Sequence, residues 1–346
     1  VRNPKVLTIT IVAIAVIVVG FLFVRVPQPS ISLAGDPLFT VGPLTVTNTL
    51  LSVYCVTIIL ALVSFFGTRN PTLVPTGFYN FLEALVEWML NFCEDIAGKA
   101  NGRRFFWVVA TIFLLVVSSN YFGLLPINNT FGNFHQLTGA DHEGKAGVIA
   151  TKEGPIWLIL PGAKTVADTD PTPTLKSNEA LVEHRPFFRS PNSDANAPLA
   201  IAIWSAIFVE FWGLSTLGYH YLGKFFAFPP FAKGFSGINL FVGILEFLSE
   251  LIRIISFTFR LFGNIFAGDV VILFISFLAP LFIPTVFYGL ETFVGFIQAA
   301  VFALLTLVFA VSAVEAHGEE EHGHGEEHAH SQAHESPGTQ GELPAF

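Results

Sequence analysis

Residues 238–279 read INLFVGILEFLSELIRIISFTFRLFGNIFAGDVVILFISFLA. At about 1.5 Å per residue this apolar run makes a helix roughly 60 Å long. The hydrocarbon core of a bilayer is only about 30 Å thick. A second run, Pro284–Val314, would be roughly 45 Å long. Helices that exceed the bilayer must tilt, kink or leave it partway. The two runs are therefore expected to form a long, strongly tilted hairpin, or to break. Within them sit Glu246, Glu250, Arg253, Arg260, Asp269 and Glu291. Ionisable groups inside a membrane are costly and mark ion pathways. Glu250 and Arg253, three residues apart, can simply pair on one helix face, and Glu246 can sit at headgroup level. Arg260 is harder to account for, because Ile254–Phe266 holds no other charge.

On a straight helix, Glu246, Ser249, Arg253, Arg260 and Asn264 fall near one stripe. Glu291, Gly295 and Gln298 form another on the last helix. A polar stripe on an apolar helix must face a partner or water. Asp269 falls roughly opposite Arg260, so it should serve a different compartment. Gly263, Ala267 and Gly268 thin the helix there and allow a neighbouring helix to approach closely.

The remainder of the chain fits the same solvent. It has 346 residues, 52% of them hydrophobic and 12% charged, with Phe occurring 38 times. Runs this apolar are helices, since lipid offers no partner to an exposed backbone. The reading is an all-α polytopic membrane protein with about six membrane helices. An extra N-terminal span, Val6–Val24, occupies residues 1–35. Arg2 and Lys5 precede it as in a signal peptide, but no small-residue cleavage site follows, so it is read as retained. Residues 36–127 hold a second span, about Asn48–Phe66, and a third, Phe105–Pro126. Between them Thr76–Lys99 carries Glu83, Glu87, Asn91 and Glu94 at helical spacing. That makes it an amphipathic helix, either at the membrane surface or packed on protein. Residues 128–197 form a polar insert, and a fourth span runs about Pro198–Leu222. Residues 198–315 thus hold that span and the tilted hairpin. Residues 316–346 are a His- and Glu-rich tail expected to be disordered.

Short loops with Arg2 and Lys5, with Arg69, Arg103 and Arg104, and with Lys224 and Lys233 should face the cytoplasm. The insert then lies outside. The net charge of −9 is largely the tail, which has seven Glu and no Lys or Arg. That balance argues against a nucleic-acid partner. Cys55 and Cys93 make neither a disulfide framework nor a zinc site.

The run Ile255-Ser-Phe-Thr-Phe-Arg260-Leu-Phe-Gly-Asn-Ile-Phe-Ala-Gly268-Asp resembles the signature of the F-type ATP synthase a subunit, of the bacterial type, centred on Arg-Leu-Phe-Gly-Asn. Further landmarks of that family follow in order: Val74-Pro-Thr-Gly-Phe78, Asn120–Asn128 with its Leu-Leu-Pro-Ile, Ser193-Asp-Ala-Asn196, and Gln298 before Leu304-Leu-Thr-Leu. The resemblance covers about Thr40–Val314. The first span, the long insert and the tail depart from the family core.

The resemblance implies a proton-translocating stator subunit with two offset half-channels that couple proton flow to rotation and ATP synthesis. Arg260 matches the essential arginine that faces the carboxylate of the rotating c-ring. Asn264 and Gln298 match polar residues near it, and Ser249 and Ser256 join them on the proton path. Glu246 matches an acid of the cytoplasmic half-channel. Asp269 and Glu291 match positions of the opposite half-channel, where two close carboxylates would share a proton. The expected partners are the c-ring, the peripheral-stalk b subunits and membrane lipid, in a bacterial plasma membrane. No cofactor or metal is expected, and the chain should make no ATP by itself, having no phosphate-binding Gly-x-x-x-x-Gly-Lys-Ser/Thr loop. The alternative is a proton- or metal-coupled transporter whose tail (His317, His322, His324, His328, His330, His334) buffers metal. It lacks ligand pairs in the spans and the internal repeats such folds show. A scaffold role leaves a buried Arg260 without purpose.

Overall fold

A computed structural model describes residues 35–69, 77–128, 131–136, 147–153, 156–158, 165–166, 179–218, 221, 237–279 and 283–315. The expected first span, the tail, Lys224 and Lys233 lie outside them. The described part opens with a hairpin, β1 (Pro37–Val41) and β2 (Leu44–Thr47), turning at Gly42 with φ 61°. Thr47 then caps α1 (Asn48–Thr68), its hydroxyl accepting from the Leu50 amide at 3.3 Å. That bond satisfies one of the amides a helix start leaves open.

The next helix, α2, spans Phe78–Gly123 but reverses at Gly98, which has φ 73° and ψ 163°. A side chain there would be strained, whereas glycine adopts positive φ freely. The two arms fold back on each other. Gly102 presses against the Cys93 carbonyl and Glu94 Cα, leaving no room for a Cβ. Trp88 of the first arm meets Phe113 of the second at 5.9 Å between ring centroids. The expected amphipathic segment is therefore the first arm, packed on the third span. It buries Met89, Cys93 and Ala97 and turns Glu83, Glu87 and Asn91 outward.

The polar insert, whose fold the sequence left open, is not helical in its described residues. It contains a five-stranded antiparallel sheet of β3 (Gly132–Gln136), β4 (Gly147–Glu153), β5 (Ile156–Leu158), β6 (Thr165–Val166) and β7 (Glu179–Pro186). β7 lies between β3 and β4, while β5 and β6 both pair with β4. A 3-10 turn, Pro191–Ser193, returns the chain to the membrane body.

Three further helices complete that body: α3 (Asn196–Leu217), α4 (Gly237–Leu278) and α5 (Ile283–Glu315). α4 and α5 run antiparallel along their length, with Phe257 against Phe302 at 4.8 Å and Gly268 against Glu291. Both are continuous, so a bilayer of about 30 Å must be met by tilt or by overhang. The core lies where the second arm of α2, α3, α4 and α5 meet, and contains Phe105, Val109, Val116, Leu261, Ala299 and Leu307. The outward faces carry exposed Phe65, Phe66, Phe241, Phe247, Ile252, Phe259, Val286 and Phe293. Among the described residues five helices are long and apolar enough to cross a membrane. This is a multi-pass membrane protein.

Candidate functional site

Arg260 stands about midway along α4 on its outward face. Its side chain is exposed among the apolar residues Ile255 and Phe259. The neighbouring surface is low: Ser256 and Ala267 are exposed, and a Cβ on Gly263 would meet nothing within 4 Å. The guanidinium carbon lies 5.8 Å from the centroid of Phe257. Among the described residues no carboxylate reaches it within 4.0 Å. A charge left bare against lipid costs several kcal/mol or more.

The other cation of α4 behaves differently. Arg253 Nη1 binds Glu250 at 2.8 Å, and its guanidinium carbon sits 3.9 Å from the Phe309 centroid. The single stripe through Glu246, Ser249, Arg253, Arg260 and Asn264 is thereby split. Arg253 turns inward to α5, while Ser249 and Arg260 stay exposed and Glu246 and Asn264 are half-buried. Gln298 is half-buried on α5, and among the described residues no hydrogen bond joins it or Asn264 to Arg260.

Nine residues beyond Arg260, on the opposite side of α4, a second polar group forms. Asp269 lies beside Ser193 and close enough to Arg189 and Glu291 for their charges to act on it. The charge of Asp269 reaches Tyr288 on α5. Glu291 is buried, and its Oε1 has no hydrogen-bond partner among the described residues. Its carboxylate occupies the space that a Cβ on Gly268 would fill. So the glycine read as thinning the helix admits an acid from the facing helix. Asp269 and Glu291 lie within range of each other's charge, on the far side of α4 from Arg260.

Several members of this group were not named as site residues from sequence. Asn120 of α2 donates to the Gly295 carbonyl at 2.9 Å and accepts from Asn192 Nδ2 at 2.7 Å. Ser190, Asn192, Ser193 and Asp194 are all buried. Asp194 Oδ2 accepts from Thr49 at 3.0 Å, and Ser52 Oγ accepts from the Arg189 amide at 3.2 Å. The 186–196 segment is thus a polar plug among α1, α2 and α4. Asn120, a polar residue inside an apolar run, was a legible signal. Arg189 lay in a polar insert where nothing set it apart. No group of three or more His, Cys, Asp or Glu among the described residues could hold a metal ion.

The profile of the ATP synthase A chain family matches residues 49–311, which takes in both polar groups. The chain belongs to this family. ATP synthase subunit a of Moorella thermoacetica is 26% identical over 281 residues, covering 81% of this chain and 96% of that one. The subunit a of Gloeobacter violaceus is 27% identical, covering 80% and 88%, and that of Campylobacter fetus 29%, covering 80% and 92%. As an ATP synthase A chain, the protein is the proton-translocating stator subunit of the membrane sector, and the transporter reading is not favoured.

Proposed function

We propose that Arg260 is the electrostatic partner of a carboxylate on the rotating ring, and that the two polar groups of the chain open to opposite sides of the membrane. The observation that carries this reading is a guanidinium exposed at mid-helix on an otherwise apolar surface, with no carboxylate beside it among the described residues. A ring carboxylate is neutral while it faces lipid, because a bare charge there is costly. It loses its proton to one half-channel and gains another from the other. Between the two events it is an anion, and Arg260 stabilises it. A guanidinium does not lose its proton at any usable pH, so it cannot relay one. Protons must therefore travel with the ring instead of leaking past it.

Asp269 and Glu291 act together as the proton-holding pair of the outer half-channel. Gly268 lets them approach, and the plug residues Arg189 and Ser193 hold Asp269. Glu246, Ser249 and Ser256 line the cytoplasmic side, and Asn264 and Gln298 flank the arginine. The ring of c subunits packs on the Arg260 face, the b subunits of the peripheral stalk bind elsewhere on the outer surface, and the complex sits in a bacterial plasma membrane. The chain carries no ATP chemistry of its own and takes neither cofactor nor metal. It has no nucleic-acid partner.

The test is ATP-driven proton pumping in membranes carrying Arg260→Ala, with ATP hydrolysis and assembly followed in parallel. Pumping is expected to vanish with the complex intact, and Arg260→Lys to fail as well, since lysine is a differently shaped, more readily deprotonated cation. Full coupled pumping by Arg260→Ala would sink the reading.

A further inference from the structure

The polar plug holds oxygens that the proton path described above leaves unused. Asn120 donates through Nδ2 to the Gly295 carbonyl at 2.9 Å, and Asn192 donates through Nδ2 to Asn120 Oδ1 at 2.7 Å. A carbonyl can only accept, so this chain of bonds fixes which way both amides point. The oxygen of Asn192 is therefore turned away from Asn120. Asn192 is fully buried, and its Oδ1 has no hydrogen-bond partner among the described residues. Glu291 Oε1 is buried and unpartnered in the same way. The two side chains bridge the same levels of α4 and α5. Glu291 rests on Gly268 and stands one turn before Gly295. Asn192 reaches Gly295 through Asn120, and its neighbour in the 3-10 turn, Ser193, lies beside Asp269. Ser190 Oγ, also buried and unpartnered, sits against Gly123 at the outer end of α2 and continues the row outward.

We propose that Asn192 is a positioning residue of the outer half-channel: its Oδ1 and Glu291 Oε1 hold water beside Gly295, and that water carries protons from the Asp269 and Glu291 pair towards the level of Gln298. Neither an amide oxygen nor a carboxylate brings a hydrogen, so the two orphaned acceptors cannot satisfy each other. A buried acceptor left without a donor is costly. Water brings two O–H groups and serves two such acceptors at once. With Asp269 and Glu291 as the proton-holding pair proposed above, on which this assignment rests, a carrier is needed. Asp269 is nine residues, about 13 Å, from Arg260 along α4, too far for one direct transfer. Gln298 stands three residues beyond Gly295, about 4.5 Å along α5, so the water lies on the way. A proton leaves the Glu291 carboxyl for this water as the water releases one towards Arg260. The water is unchanged, and the Glu291 carboxylate takes its next proton from Asp269. Asn192 has no acidic proton of its own to pass on, so it orients the water without holding the charge.

A map of the intact complex at a resolution that shows water is the first test. A water within hydrogen-bond distance of Asn192 Oδ1 is expected, and a dry Oδ1 overturns the proposal. Passive proton conduction is then measured in vesicles holding the membrane sector after removal of the soluble sector from the full complex. Asn192→Leu keeps the bulk and loses the acceptor, and is expected to lower conduction several-fold. Asn192→Asp keeps an oxygen there and is expected to restore most of it. The infrared band of the Glu291 carboxyl, assigned by its loss in Glu291→Ala, is expected to shift in Asn192→Leu, because the water on it is gone. A purely structural clamp leaves that band in place. Wild-type conduction or an unmoved band in an assembled Asn192→Leu complex overturns the proposal. If Asn192→Leu does not assemble, the map of the wild-type complex decides. Glu291→Ala in the same vesicles reports separately on the pair. Wild-type conduction there sinks the pair itself, whereas loss there with wild-type conduction in Asn192→Leu sinks only the role of Asn192.

Discussion

Replacing Gly268 with alanine adds a single methyl group, and the structure locates where it must go. The new Cβ falls on the Glu291 carboxylate, so either that side chain leaves or α4 and α5 part. Overfilling a packed interior costs about 1–3 kcal/mol. Alanine is also the better helix former by about 1 kcal/mol, so a weakened helix cannot account for a loss. If the cost falls on the carboxylate's position, conduction should drop by about 5- to 150-fold, the span that 1–3 kcal/mol represents. The assay is passive proton conduction through the membrane sector, with assembly checked on the purified complex. Adding Glu291→Ala removes the clashing group. The methyl of Gly268→Ala should then cost nothing beyond what Glu291→Ala costs alone. Wild-type conduction in Gly268→Ala, or equal losses from the methyl with and without Glu291, would refute the placement of Glu291 on Gly268.

Other consequences can be measured in the same complex. Asp269→Ala and Glu291→Ala should be strongly non-additive in proton conduction, since each leaves the other without its partner; additive effects would argue against a shared site. Asn120→Leu should lower the thermal stability of the complex, because the Gly295 carbonyl and Asn192 lose a buried partner worth about 1–3 kcal/mol each. Unchanged melting would mean that water replaces the amide. Gly98→Ala should reduce the yield of assembled complex, since φ 73° at the α2 reversal is strained for any side chain. Normal assembly would show that the turn has another conformation open to it.

The spans were legible because their lengths are set by solvent. A run of about 20 apolar residues has one stable form in lipid, and the residues bounding it are charged or breaking. The fourth span and the hairpin accordingly start within two residues of their expected positions, and the hairpin also ends within one residue of its expected limits. Arg260 was legible for the same reason, as a charge with no local partner. The strands of the insert were not, since its polar composition carried no alternation strong enough to set a register. Nor was the reversal at Gly98, which depends on the backbone of residue 102 meeting that of residue 93.

What the sequence determined by itself was a chain of membrane helices, one of them carrying Arg260 in a stretch with no other charge and Asp269 on its opposite side. What only tertiary structure decided was which polar groups meet. Arg253 shares a helical stripe with Arg260, yet Glu250 and Phe309 draw it inward and leave Arg260 exposed. Asp269 finds Arg189 and Ser193 from a segment far back in the chain, and Asn120 binds Gly295 across 175 residues. Periodicity fixes the side of a helix on which a residue stands. It carries no information about the distant segment that folds against that side, and in this protein Phe309 of α5 packs on Arg253 while Arg260 stays exposed.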